Sequence, residues 1–92
     1  MATLKTIKAE RLFKKIDKEL NNSIIFLLTM KDFAENKDFD LNYAYKQYKL
    51  NIGKCLYYFD LIGKINHKYN LEKELFNGSW KAIKEIINFF DN

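Results

Sequence analysis

From Leu41 onward the apolar residues Leu41, Tyr45, Tyr48, Ile52, Cys55, Phe59 and Ile62 recur in alternating steps of four and three. Three heptads of that spacing fit a helix and no strand, because side chains on a strand alternate at every second residue. The stretch predicts a helix of about 25 residues, roughly 38 Å long, opened by Asp40 as its N-cap. In a chain of 92 residues such a rod leaves room for a single core. Proline is absent and glycine occurs only three times, which disfavours the turn-rich all-β architectures.

The same helix bears a second apolar stripe at Tyr43, Leu50, Tyr57, Leu61 and Ile65, with Lys46, Lys49, Asp60 and Lys64 in a polar strip between the two. A helix apolar on two sides either lies centrally in a bundle or offers one side to a partner. Gly53 and Gly63 weaken it locally, each by about 1 kcal/mol relative to alanine.

Residues 3–20 predict an amphipathic helix. Ala9, Leu12, Phe13, Ile16 and Leu20 gather on one face; Lys8, Arg11, Lys14, Lys15 and Lys18 form a ridge on the other, with Leu4 and Ile7 on the ridge side. Residues 23–35 read as helix, clustering Phe26, Leu27, Met30, Phe33 and Ala34, and Asn21-Asn22-Ser23 either caps a new helix or lies inside one long one. Glu35 to Phe39 is a connection. Beyond a break at 66–70, a short helix over Leu71–Asn77 is expected, capped by Asn70 and closed by a left-handed Gly78. Ser79 then caps a final helix, Trp80 to Asp91. The expected fold is all-α: one domain over residues 1–92, a small antiparallel bundle of three to four helices around the long central helix.

Sixteen basic against twelve acidic residues give a net charge of +4. Fifteen of the basic residues are lysine, and Lys, Asn, Ile, Phe and Tyr supply 49 of the 92 positions. All five are encoded by A/T-rich codons, so the basicity reflects either an A/T-rich genome or selection for a polyanion. Its distribution is uneven: residues 1–20 carry +3, 31–42 carry −2, 43–69 carry +4 and 70–92 carry −1. The first residues run directly into charge without an apolar signal core, and the longest apolar run, Ile24 to Leu28, is far short of the roughly 20 residues that span a bilayer. The expectation is a cytoplasmic protein without a transmembrane segment.

Catalytic and metal chemistry find few matching residues. Cys55 and His67 lie twelve positions apart on the predicted helix, about 18 Å along its axis, out of reach of a nucleophile–base pair. One cysteine and one histidine supply neither a disulfide nor a four-ligand zinc site. Asp38-Phe39-Asp40-Leu41-Asn42 opens like a calcium loop, but Tyr43 and Lys49 stand where that loop needs glycine and a bidentate glutamate. No glycine-rich phosphate loop, GxSxG or HExxH occurs. The chain is expected to be non-catalytic, with no cofactor and no metal. The Leu71–Asn77, Gly78, Trp80–Asp91 unit has the skeleton of a helix-turn-helix, yet the outer face of its second helix carries no net charge for DNA.

Two functional expectations follow. One is a small protein that blocks or sequesters a macromolecular partner of unknown identity through Tyr43, Leu50, Tyr57, Tyr58 and Leu61, with Lys54 at the rim; tyrosine is enriched in interface cores. Immunity proteins, antitoxins and phage-encoded inhibitors are of this kind and size. In length, basic pI and all-helical pattern the chain is similar to the bacteriocin-immunity proteins, which implies a four-helix bundle. The other is a nucleic-acid-associated accessory protein that holds phosphates through Lys8, Arg11, Lys14, Lys15 and Lys18, joined by Lys46, Lys49 and Lys64. The second stripe also fits a homodimer.

Overall fold

The computed structural model describes residues 4–36, 40–71 and 77–91. Among them all regular structure is helical: α1 spans Leu4–Glu35, α2 Leu41–Lys68 and α3 Asn77–Asp91. A rod results, 55 × 17 × 16 Å in extent.

The register of α1 explains why it is one helix. Ala9, Phe13, Ile16, Leu20, Ile24, Leu27 and Met30 are all buried, in steps of three and four that continue through Asn21-Asn22-Ser23. Each asparagine costs several tenths of a kcal/mol of helix propensity. Burying a Leu or Ile on the same turns returns roughly 1.5–3 kcal/mol, so packing overrides the local preference. Two residues expected inside are not: Leu12 is 44% exposed, and Phe26 also lies at the surface.

Asp40 caps α2 as expected, its carboxylate accepting from the backbone N–H groups of Asn42 at 2.9 Å and Tyr43 at 3.3 Å. The short connection before it returns the chain alongside α1, making a long antiparallel hairpin. The seam of α2 differs from the expected one. Ala44, Tyr48, Cys55, Ile62 and Ile65 are buried, and with Asn51 and Tyr58 between them they form the 4-3 repeat that faces α1. Tyr48, Cys55 and Ile62 belong to both patterns. Leu41 and Tyr45 instead stand at the surface, while Ile52 and Phe59 pack partly buried against the core. The expected stripe was rotated toward the side on which α3 lies, because a small Ala44 and a polar Asn51 do not register as core residues. Asn51 fits the seam by turning its amide inward along its own helix, Nδ2 donating to the Gln47 carbonyl at 2.7 Å.

α2 ends where Asn70 adopts φ 50°, and no glycine among the described residues has a positive φ. Its N–H donates to the His67 carbonyl and that of Leu71 to the Asn66 carbonyl, the paired bonds of a Schellman end. Asn70 thus closes α2 rather than capping a following helix. The expected short helix over Leu71–Asn77 falls largely on residues 72–76, outside the described residues. Asn77, Gly78 and Ser79 are already helical, so Gly78 does not end a helix and Ser79 is not a cap. Ser79 is buried together with Ile83 and Ile86, and Phe90 is partly so, another 4-3 repeat that carries the helix start inward by a turn.

α1 packs on both α2 and α3, so it, and not α2, is the central element. α3 and α2 meet chiefly through rings: Trp80 stacks on Phe59 at 5.4 Å and Phe90 on Tyr48 at 4.4 Å between centroids. α3 therefore runs antiparallel to α2. Tyr48 also donates its hydroxyl to the Asp91 carboxylate, and Lys31 of α1 reaches Glu85 at 3.5 Å while lying over the Phe89 ring. The bundle has three helices among the described residues, not four.

Candidate protein-binding face

α3 lies against one edge of the hairpin, and the other edge is where the expected binding residues fall. At 100° per residue, Tyr43, Leu50 and Tyr57 sit on the side of α2 away from Tyr45, Tyr48 and Phe59, the residues whose rings meet α3. They are 47%, 66% and 61% exposed. Tyr58 and Leu61, from the same expected set, pack partly buried against the core. Lys54 is exposed and lies over the Tyr58 ring at 5.7 Å, and the Tyr57 and Tyr58 rings are 5.8 Å apart. The sequence-based set therefore divides into three exposed apolar residues, one rim cation and two residues that hold up the surface from beneath.

α1 contributes side chains that the sequence reading assigned to the core. Phe26 is nine residues before the end of α1 and Leu50 nine after the start of α2. At 1.5 Å per residue each stands about 13–14 Å from the connection, so they share one level of the hairpin. Leu12 lies on the same edge, nearer the free end. The exposed apolar residues thus line a groove between two helices instead of a stripe on one. Their signal in the sequence is the residue just off the 4-3 repeat: Leu12 beside Phe13, Phe26 beside Leu27.

The expected phosphate-binding set is not gathered in one place. Lys8, Arg11, Lys14, Lys15 and Lys18 are all exposed; helical periodicity puts Arg11, Lys14 and Lys18 on the outer side of α1 and Lys8 and Lys15 toward the edge opposite α3, and among the described residues no ion pair takes in any of them. Lys46, Lys49 and Lys64 are exposed on the outer side of α2. Since the two helices face each other, these outer sides point apart. Lys64 is paired with Asp60 at 2.8 Å, and Lys49 lies over the Tyr45 ring.

Cys55 is fully buried, and burial alone pushes its thiol up to about 11. It is therefore protonated at neutral pH, whereas a nucleophilic cysteine needs the thiolate. His67, twelve residues further on, is exposed. Among the described residues no helix is long and apolar enough to cross a membrane.

No protein-family model matches this chain, and neither any curated protein nor any solved structure shows significant similarity to it.

Proposed function

We propose that the chain is a small non-catalytic binding protein that occupies the surface of a protein partner, in the manner of immunity proteins, antitoxins and phage-encoded inhibitors. One observation carries this reading: Tyr43, Leu50 and Tyr57 stand exposed in heptad register along the edge opposite α3. Large apolar side chains set singly on a surface need no explanation, but several gathered on one edge mark interaction sites. The row stands on two helices packed on each other, so little order has to be gained on binding, which favours affinity. The test is a photo-reactive amino acid placed at Leu50 and, separately, at Lys84 on the outer side of α3, in the cell that encodes the protein. The reading expects a defined heteromeric cross-link from position 50 and none from position 84. A cross-link only to a second copy, or none, defeats it.

A second reading, nucleic-acid binding, is favoured by the five exposed cations of α1, none of which forms an ion pair among the described residues. Each phosphate neutralised adds close to one unit to the salt slope. Anisotropy with labelled DNA and RNA at two salt concentrations decides it. This reading expects micromolar binding that falls steeply with salt and collapses in the Lys14→Glu, Lys15→Glu, Lys18→Glu triple variant.

A further inference from the structure

The groove opposite α3 has a charge pattern as well as an apolar floor. On that side of α1 stand Lys5, Lys8 and Lys15, and on that side of α2 stand Lys54 and Lys68, all exposed. Glu19 is the only carboxylate that helical periodicity places on the same arcs of the two helices. Glu10, Asp17 and Glu35 of α1, and Asp60 of α2, fall toward α3 or outward. This edge thus carries five lysines against one carboxylate, and the apolar row is flanked by lysine on both sides.

The floor has the repeat of a helix. Tyr43, Leu50 and Tyr57 recur at seven residues, about 10.5 Å along the axis, or two turns. Phe26 stands level with Leu50 across the groove and Glu19 level with Tyr57, while Leu12 lies about 10 Å nearer the free end. Two antiparallel helices with a third along one edge leave one position of a four-helix bundle unfilled.

We infer that this position takes an acidic amphipathic helix from a partner protein, its apolar stripe on Leu12, Phe26, Leu50 and Tyr57 and its carboxylates opposite Lys8, Lys15 and Lys54. This rests on the reading of the chain as a protein binder and names the partner's chemistry. A second copy of the chain fits less well. A two-fold contact centred on Leu50 would put Tyr43 against Tyr57 of the other copy, but it would also bring Lys46 and Lys54 to the same level with no acid between them. A nucleic-acid strand matches the charge but not the floor, since its bases follow one another at far less than 10.5 Å and stack on rings, whereas Leu12 and Leu50 are aliphatic.

The experiment uses the full chain and two 21-residue helical peptides with identical leucine stripes, one flanked by glutamate and one by lysine. The glutamate peptide is expected to bind at micromolar affinity, losing about tenfold between low and moderate salt, and the lysine peptide not to bind. Leu50→Glu should weaken the complex by at least about tenfold. The Lys15→Glu, Lys54→Glu double variant should reverse the preference between the peptides. All three positions are exposed, so the variants fold, which circular dichroism confirms. Equal binding of the two peptides, failure of the glutamate peptide to bind, or an unreversed preference overturns the inference. So does displacement by a 20-nucleotide single strand at equal concentration. Failure here is separable from failure of the proposed function: a heteromeric cross-link from position 50 to a segment that is not an acidic helix removes this inference and leaves the proposed function standing.

Discussion

Along the edge of the hairpin that α3 covers, aromatic rings are matched with one another. Phe90 lies on Tyr48, Trp80 on Phe59, and Lys31 bridges to Glu85 over Phe89. Along the opposite edge, Tyr57, Leu50 and Phe26 are similar in kind but reach the surface. The two edges are built from comparable residues on the same two helices, and they differ in what lies on them. On the covered edge, apolar area contributes to the stability of the chain itself; on the open one, the same chemistry is what the proposed partner would cover.

The largest test of this contrast is a pair of truncations. Ile86→Ala, at a fully buried position on the covered edge, should cost about 2–5 kcal/mol in denaturant unfolding. Leu50→Ala on the open edge should change stability by less than about 0.5 kcal/mol. Equal costs would mean that the open edge is part of the core. Next in size is a pH effect from the seam between the edges. Cys55 is raised from 9.0 to about 11 by burial, so the folded state favours the neutral thiol. Its contribution is complete below pH 9 and is lost as the pH rises through 11, up to about 2–3 kcal/mol. Wild type should therefore lose more stability than Cys55→Ala between pH 9 and pH 10. Above that range the buried Tyr48 hydroxyl, raised by burial and by Asp91, adds a further loss.

Smaller effects sharpen the picture. Tyr48→Phe keeps the ring on Phe90 but removes the bond to Asp91, and should cost about 1 kcal/mol. Gly53→Ala should raise stability by about 0.5–1 kcal/mol, because a Cβ at that helical position meets nothing within 4 Å. Thermal unfolding of the two variants side by side measures both.

Much of the fold is legible in the residues, and the exceptions have physical reasons. The helical class, the cap at Asp40 and most of the inward face of α1 follow from local sequence and periodicity. The register of α2 does not, because a helix with neighbours on two sides buries an arc wider than one heptad stripe. Ala44 and Asn51 lie inside that arc while Leu41 and Tyr45 reach its surface edge. The end of α2 is misplaced because asparagine, like glycine, tolerates the left-handed conformation, and Asn70 uses that freedom where Gly78 was expected to. Of the candidate face, Tyr43, Leu50 and Tyr57 were readable on one helix. Leu12 and Phe26 were not, since pairing them with α2 needs the level of each residue along the hairpin, a tertiary quantity.

The solitary thiol at the middle of α2 gives the molecule a built-in clock. Cys55 is sealed between the paired helices, so an alkylating reagent reaches it only when they separate. With a single sulfhydryl in the sequence, the labelling rate of an intact sample counts those separations directly. A ligand seated on the long exposed side would slow that count without touching the sulfur.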